Sequence, residues 1–134
     1  MATKEASGDI SAIAKIRHLC GDDLLLYSGN DDQIVPLLSL GGIGVISVLS
    51  NVLPKETHDM CAAYFAGDVK KAADMQLQFI PLINALFSDV NPIPVKEAME
   101  MLGKQTGPCR LPLIAMSDDK HAALKAELTT LGLL

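Results

Sequence analysis

Lys4 is the residue in this chain best suited to covalent chemistry. A lysine amine attacks a carbonyl carbon and forms an imine, provided the amine is neutral. Free lysine titrates near ~10.4, so the role needs surroundings that lower that value. Lys4 ends a short extended run, and the small-residue turn Ala6-Ser7-Gly8 follows it before an amphipathic helix begins near Asp9. A strand end facing a helix start is where α/β sheets place their chemistry. Taken alone, a lysine this close to the first residue is ordinarily a solvated charge. Glu5 is the tempting partner, but neighbouring strand residues point to opposite faces. It is expected to orient the turn or sit at the surface, not to act as a base.

Other chemistries find less support. His18, His58 and His121 fall in separate helices without metal-ligand spacing, so no metal is expected. Cys20, Cys61 and Cys109 are odd in number and far apart, which reads as free thiols in a reducing cytosol. Gly41, Gly42 and Gly44 suggest a phosphate cradle, but they precede a strand and lack the Gly-Lys-Ser/Thr that closes a P-loop. No nucleotide or other cofactor is expected. Ser28 and Ser47 lack a nucleophile-elbow context. Tyr27 is expected to be a packed aromatic with a solvated hydroxyl.

A net charge of −5 argues against a nucleic-acid partner. Aromatics at 4% and no tryptophan leave no base-stacking surface. No charged segment followed by an apolar core marks a signal peptide. The most apolar region, 34–53, is interrupted by Pro36, three glycines and Asn51, so it reads as buried structure and not as a membrane span. The expected location is cytoplasmic. Hydrophobic residues at 49% are enough for a real core, and 134 residues suit about one domain.

These residues need positioning elements. Ile10, Ile13, Ile16 and Leu19 recur at helical spacing, with Asp9 as N-cap and Gly21 as stop. Leu24 to Tyr27 reads as a strand buried on both faces. Asp31 is expected to cap a second helix over 32–40, and 44–48 to form a third buried strand. A helix from Pro54 to Ala66 follows. The long helix 68–87 is kinked at Pro81, with Val69, Ala72, Ala73, Met75, Phe79, Ile80, Ile83 and Phe87 on one apolar face. Helices over 95–102 and 118–131 flank an extended loop, with Asp118 capping the last.

Strand–helix repeated three times implies parallel pairing with right-handed crossovers. The fold class is α/β with a helical extension. Three short strands do not bury themselves, so the sheet reads as part of a larger one.

Five motifs then recur in order: Lys4-Glu5-Ala6-Ser7-Gly8, Ser28-Gly29-Asn30-Asp31, the run Gly41 to Ser47, Asn91-Pro92-Ile93-Pro94-Val95-Lys96, and Arg110-Leu111-Pro112. Together the chain resembles the C-terminal half of the dihydrodipicolinate synthases, pyruvate-dependent class I aldolases. The Asn91 to Lys96 element is more like these enzymes than their cousins, the sialic acid lyases.

The resemblance implies the C-terminal portion of a (β/α)8 TIM barrel, with strands six to eight in residues 1–66 and the last barrel-associated and C-terminal helices in 67–134. It implies condensation of pyruvate with aspartate semialdehyde on the route to diaminopimelate and lysine, normally by a homotetramer. The Schiff-base lysine falls on Lys4. The backbone carbonyl that contacts pyruvate falls on Ile46, whose side chain is expected in the core. Gly29 and Asn30 fall near the second substrate. The family's first five strands and most of its sixth have no counterpart here. Nor have its paired threonines, proton-relaying tyrosine and entrance arginine. The chain by itself is therefore expected to be incompetent until a missing N-terminal half is supplied. The alternatives are a non-catalytic half-barrel that self-associates through its open sheet, or a related pyruvate-dependent aldolase such as a sialic acid lyase.

Overall fold

The first strand, β1 (Ala2–Glu5), leads into helix α1 (Ile10–Cys20). The Asp9 carboxylate accepts from the N–H groups of Ser11 and Ala12 at 2.9 and 3.1 Å, satisfying donors that the first helical turn leaves free. Gly21 ends α1 at φ 53°, a left-handed value that only glycine adopts without strain. The computed structural model describes all residues, 1–134.

Strands β2 (Leu25–Ser28) and β3 (Gly44–Val45) complete a parallel sheet in the order β1-β2-β3. Lys4 pairs with Tyr27, and Tyr27 with Gly44; Glu5 pairs with Ser28, and Ser28 with Val45. Two expectations fail here. β2 is not buried on both faces: Leu26 is 1% exposed, but its neighbour Leu25 is 43% exposed. The helices cover one face of the sheet and nothing covers the other. Nor does β3 run to Val48. It stops at Val45, because Val48 and Leu49 leave the ladder to give their N–H groups to the Asp31 carboxylate.

That bond also corrects the role expected of Asp31. A short 3-10 turn, Asp31–Gln33, precedes helix α2 (Ile34–Ser39), and no side chain caps either. Asp31 caps the 3-10 turn Leu49–Asn51 instead.

Helix α3 (Pro54–Phe65) and helix α4 (Val69–Leu86) form an antiparallel pair around Gly67. Asp68 caps α4 through the Lys71 N–H at 3.1 Å. The buried face of α4 is Ala72, Gln76, Phe79, Leu82, Ile83 and Leu86. Val69 and Phe87, expected on that face, are exposed. Buried Gln76 takes a central position because its amide joins α4 to the start of α2: Nε2 donates to the Asp31 carbonyl at 2.8 Å, and Oε1 accepts from the Val35 N–H at 3.2 Å.

Helix α5 (Ile93–Met101), an extended segment and helix α6 (Asp118–Thr130) finish the chain. Ser117, not Asp118, holds the N-cap position of α6. Asp118 lies in the first turn, where the helix dipole favours a carboxylate. The main core is one cluster of buried side chains from α2 through α6, including Leu38, Met60, Phe79, Leu86, Leu124 and Leu128. Only Ile13, Leu26 and Leu37 form a separate cluster beneath the sheet.

Candidate active site

Residues paired across parallel strands share a face, so Ala2, Lys4, Leu25, Tyr27 and Gly44 line the uncovered side of the sheet. Lys55, Lys70 and Lys120 pair with carboxylates, and Lys96 bonds the Pro108 carbonyl. Lys4, like Lys15, Lys71, Lys104 and Lys125, makes no such bond, and of these only Lys4 stands on the sheet. Its stem leans over the backbone at Gly29: a Cβ built on Gly29 would lie 2.9 Å from Lys4 Cε and 2.6 Å from the Ala6 Cβ. Buried Gly29 thus allows β1 and its turn to close against the end of β2, and its N–H donates to the Glu5 carbonyl at 2.6 Å. Glu5 points to the other face. Its Oε1 accepts from the Ser7 N–H at 3.0 Å and so shapes the turn after Lys4.

Ile46 follows β3 and stays at the same end of the sheet. Its N–H donates to the Ser28 carbonyl at 2.8 Å, and its own carbonyl accepts no hydrogen bond within the chain. Lys4 and Ile46 stand two strand spacings apart, about 10 Å between backbones. The Ile46 side chain is not in the core: it is 48% exposed, because it follows Gly44 onto the face with nothing above it. The structure therefore brings Lys4, Gly29 and the Ile46 carbonyl to one rim.

Asn30 is half-buried beside them. Its carbonyl accepts from the Ser28 hydroxyl at 2.8 Å. Asn30 lines a polar cleft of about 290 Å³ with Ala6, Ser7, Asp32, Ile83, Asn84 and Phe87. Half-buried Tyr27 lays its ring against Gly44, where an added Cβ would sit 3.3 Å from the ring edge. The two glycines before it in the 41–44 run pack against side chains: an added Cβ would meet Arg17 at Gly41 and Leu37 at Gly42. No three His, Cys, Asp or Glu side chains converge as a metal site. No helix is long and apolar enough to cross a membrane.

Sequence reasoning missed Asp31 as a partner of the rim. Its Oδ2 accepts from Val48 at 2.9 Å and Leu49 at 2.8 Å. Burial raises its carboxyl above the ordinary carboxylate range, against the downward pull of the Ser47 hydroxyl and the Leu49 and Val48 N–H groups. Oδ1 has no hydrogen-bond partner of good geometry. Nothing in the local pattern around Asp31 points to partners 17 and 18 positions later.

The sequence model of the dihydrodipicolinate synthetase family matches residues 1–131. The chain belongs to this family. It is 53% identical over 134 residues to the 4-hydroxy-tetrahydrodipicolinate synthase of Clostridium perfringens, covering all of this chain and 46% of that protein. The dihydrodipicolinate synthase of Thermotoga maritima superposes with a TM-score of 0.93 at 40% identity, over 99% of this chain and 46% of its own. The chloride-inhibited enzyme of Acinetobacter baumannii, solved in complex with pyruvate, gives 0.90 at 33% identity, over 98% of this chain and 45% of its own. The chain thus spans about half the length of these relatives. Its architecture is a partial (β/α)8 barrel with a helical extension.

Proposed function

We propose that this chain carries the imine-forming side of a 4-hydroxy-tetrahydrodipicolinate synthase, with Lys4 as the nucleophile and residues 1–66 as barrel strands six to eight. The observation that carries the reading is the rim: an unpaired lysine on the open face, its stem over Gly29, with the unbonded Ile46 carbonyl on the next strand but one. The pyruvate complex of the Acinetobacter relative supports pyruvate as the ketone.

The neutral Lys4 amine adds to C2 of pyruvate, and with one proton taken up from solvent the ketone oxygen leaves as water to give a protonated imine. That imine is the electron sink: C3 loses a proton and becomes the nucleophilic carbon of an enamine. The enamine then bonds to the aldehyde carbon of aspartate semialdehyde, whose oxygen takes up a proton. The Ile46 carbonyl orients bound pyruvate, and Asn30, on the polar cleft, faces the second substrate with Gly29 beside it. By the same family argument the product enters lysine and diaminopimelate biosynthesis in the cytoplasm. A homo-oligomer, by the family pattern a tetramer, completes the assembly.

The test is borohydride trapping with pyruvate and mass mapping of the adduct. It is run on the chain alone and with the barrel-completing half of a relative. An adduct on Lys4 in either condition supports the reading. An adduct only after mixing shows that competence needs the rest of the barrel. No adduct in both conditions refutes it.

A second reading has one observation in its favour: Leu25 and Ile46 leave apolar area on a sheet whose two edges are unpaired. On that reading the chain is a half-barrel that associates with copies of itself and catalyses nothing. Light scattering separates the two, since a clean monomer that traps pyruvate rules out the assembly module.

A further inference from the structure

The peptide joining Ile46 to Ser47 forms no hydrogen bond of its own: the Ile46 carbonyl accepts none and the Ser47 N–H donates none. It is held only from its flanks. On one side the Ile46 N–H donates to the Ser28 carbonyl at 2.8 Å. On the other, the Ser47 hydroxyl and carbonyl accept from the Ser50 N–H and hydroxyl at 2.8 and 3.2 Å, and the Val48 and Leu49 N–H groups converge on Oδ2 of Asp31. We infer that Asp31 is a positioning residue, which holds the Ile46 carbonyl at the rim of the open face by clamping the two N–H groups that follow it. This inference rests on the reading of Ile46 as a pyruvate contact.

The clamp is itself well anchored. Asp31 is 1% exposed and Leu49 is fully buried, so neither partner can exchange its bond for one to water. The Asp31 carbonyl is tied to α4 by Gln76 Nε2 at 2.8 Å, and Gln76 Oε1 takes the Val35 N–H. A chain of bonds therefore runs from α4, through the backbone and side chain of Asp31, to the residue next to the reacting groups. A residue without an acceptor at position 31 would leave the buried Leu49 donor and the half-buried Val48 donor without their partner and loosen Ile46–Ser47. A ligand atom displaced by about 1 Å loses on the order of a hundredfold in rate when the reaction depends on its placement.

The experiment compares wild type, Asp31→Ala, Asp31→Asn and, as a destabilised control remote from the rim, Asp68→Ala, which removes the N-cap of α4. Amide hydrogen exchange is read at Val48 and Leu49, and pyruvate-dependent trapping at Lys4, under the condition in which the wild-type chain forms its adduct. In Asp31→Ala, exchange at both amides is expected to speed up. The pyruvate concentration for half-maximal trapping should rise about tenfold or more, with the limiting yield unchanged. Asp31→Asn keeps one acceptor oxygen, so its shift should be about threefold. Asp68→Ala lowers thermal stability but leaves half-saturation alone.

If both Asp31 variants keep wild-type half-saturation while their amides lose protection, the clamp exists but does not position a ligand, and the inference is overturned. Unchanged protection overturns it as well. Should Asp31→Ala fail to fold, an unshifted Asp31→Asn is sufficient to reject it. Absence of any adduct in the wild-type chain, alone and with the completing half, marks instead the failure of the Lys4 reading, and the inference falls with it.

Discussion

Substituting alanine at Gly29 tests the geometry around Lys4 most directly. The new Cβ would lie 2.6 Å from the Ala6 Cβ, 2.9 Å from Lys4 Cε and 3.0 Å from the Glu5 carbonyl oxygen. Carbon atoms in contact prefer about 3.5–4.0 Å, so the end of β2 and the turn after β1 must part by roughly 1 Å. Overpacking of this size costs about 1–3 kcal/mol. At about 4 °C per kcal/mol for a chain of this length, the thermal midpoint should fall by roughly 4–12 °C. The Lys4 stem is flexible and yields more easily than backbone, so the amine is pushed off its path, with a loss of about a hundredfold in trapping rate. Circular dichroism gives the midpoint, and borohydride trapping well below it gives the rate. The double variant Ala6→Gly with Gly29→Ala removes the 2.6 Å collision but keeps the one with Lys4. It should recover much of the stability and little of the trapping. If Gly29→Ala destabilises the chain yet traps at the wild-type rate, Gly29 supports the fold alone and the reasoning about Lys4 is refuted.

Two further outcomes follow from the packing and the charges. Gly42→Ala would drive a Cβ to 2.0 Å from Leu37 Cδ2 and 2.9 Å from the Leu37 carbonyl oxygen. Leu37 is fully buried, so urea unfolding should show a loss of about 3 kcal/mol, at the upper end for overpacking. Glu100 Oε1 accepts from the Gly107 N–H at 2.7 Å and from the Thr106 hydroxyl and N–H at 2.9 and 2.6 Å, which hold its carboxyl below the usual glutamate value of 4.5. The ionised form is thus favoured in the folded chain. Its contribution is fully present above pH 4.5 and is lost as pH falls through the lower folded value. Glu100→Gln should speed amide exchange at Thr106 and Gly107 near neutral pH, and the difference from wild type should vanish in acid. A difference that persists in acid would mean that the carboxylate charge does not order this segment.

Signals carried by neighbouring residues were legible in the sequence. Asp9 and Gly21 bound α1 because capping acts over two or three residues, and the alternation of short strands and helices led to a parallel sheet. The placement of Lys4, Gly29 and Ile46 at one rim was legible only through the ordered motifs. What stayed hidden depends on contacts between distant residues. The early end of β3 follows from a carboxylate 17 positions earlier. Gln76, polar in an apolar helix, is buried because its partners lie on residues 31 and 35. The outward side chain of Ile46 reflects what is absent above the sheet, which no apolar count along the chain reports.

The unequal division of buried side chains sets which part of the molecule gives way first. The continuous cluster joins α2 to α6, whereas beneath the sheet a small cluster of Ile13, Leu26 and Leu37, edged by half-buried Ile16, Leu24 and Leu40, holds α1 and β2 against α2. Partial unfolding should therefore begin with β1 and α1 while the helical layer persists as its own cooperative unit. The loss of far-ultraviolet ellipticity reports mainly on α3 to α6, so a chain can retain most of its helix signal after the segment bearing its reactive amine has already come free.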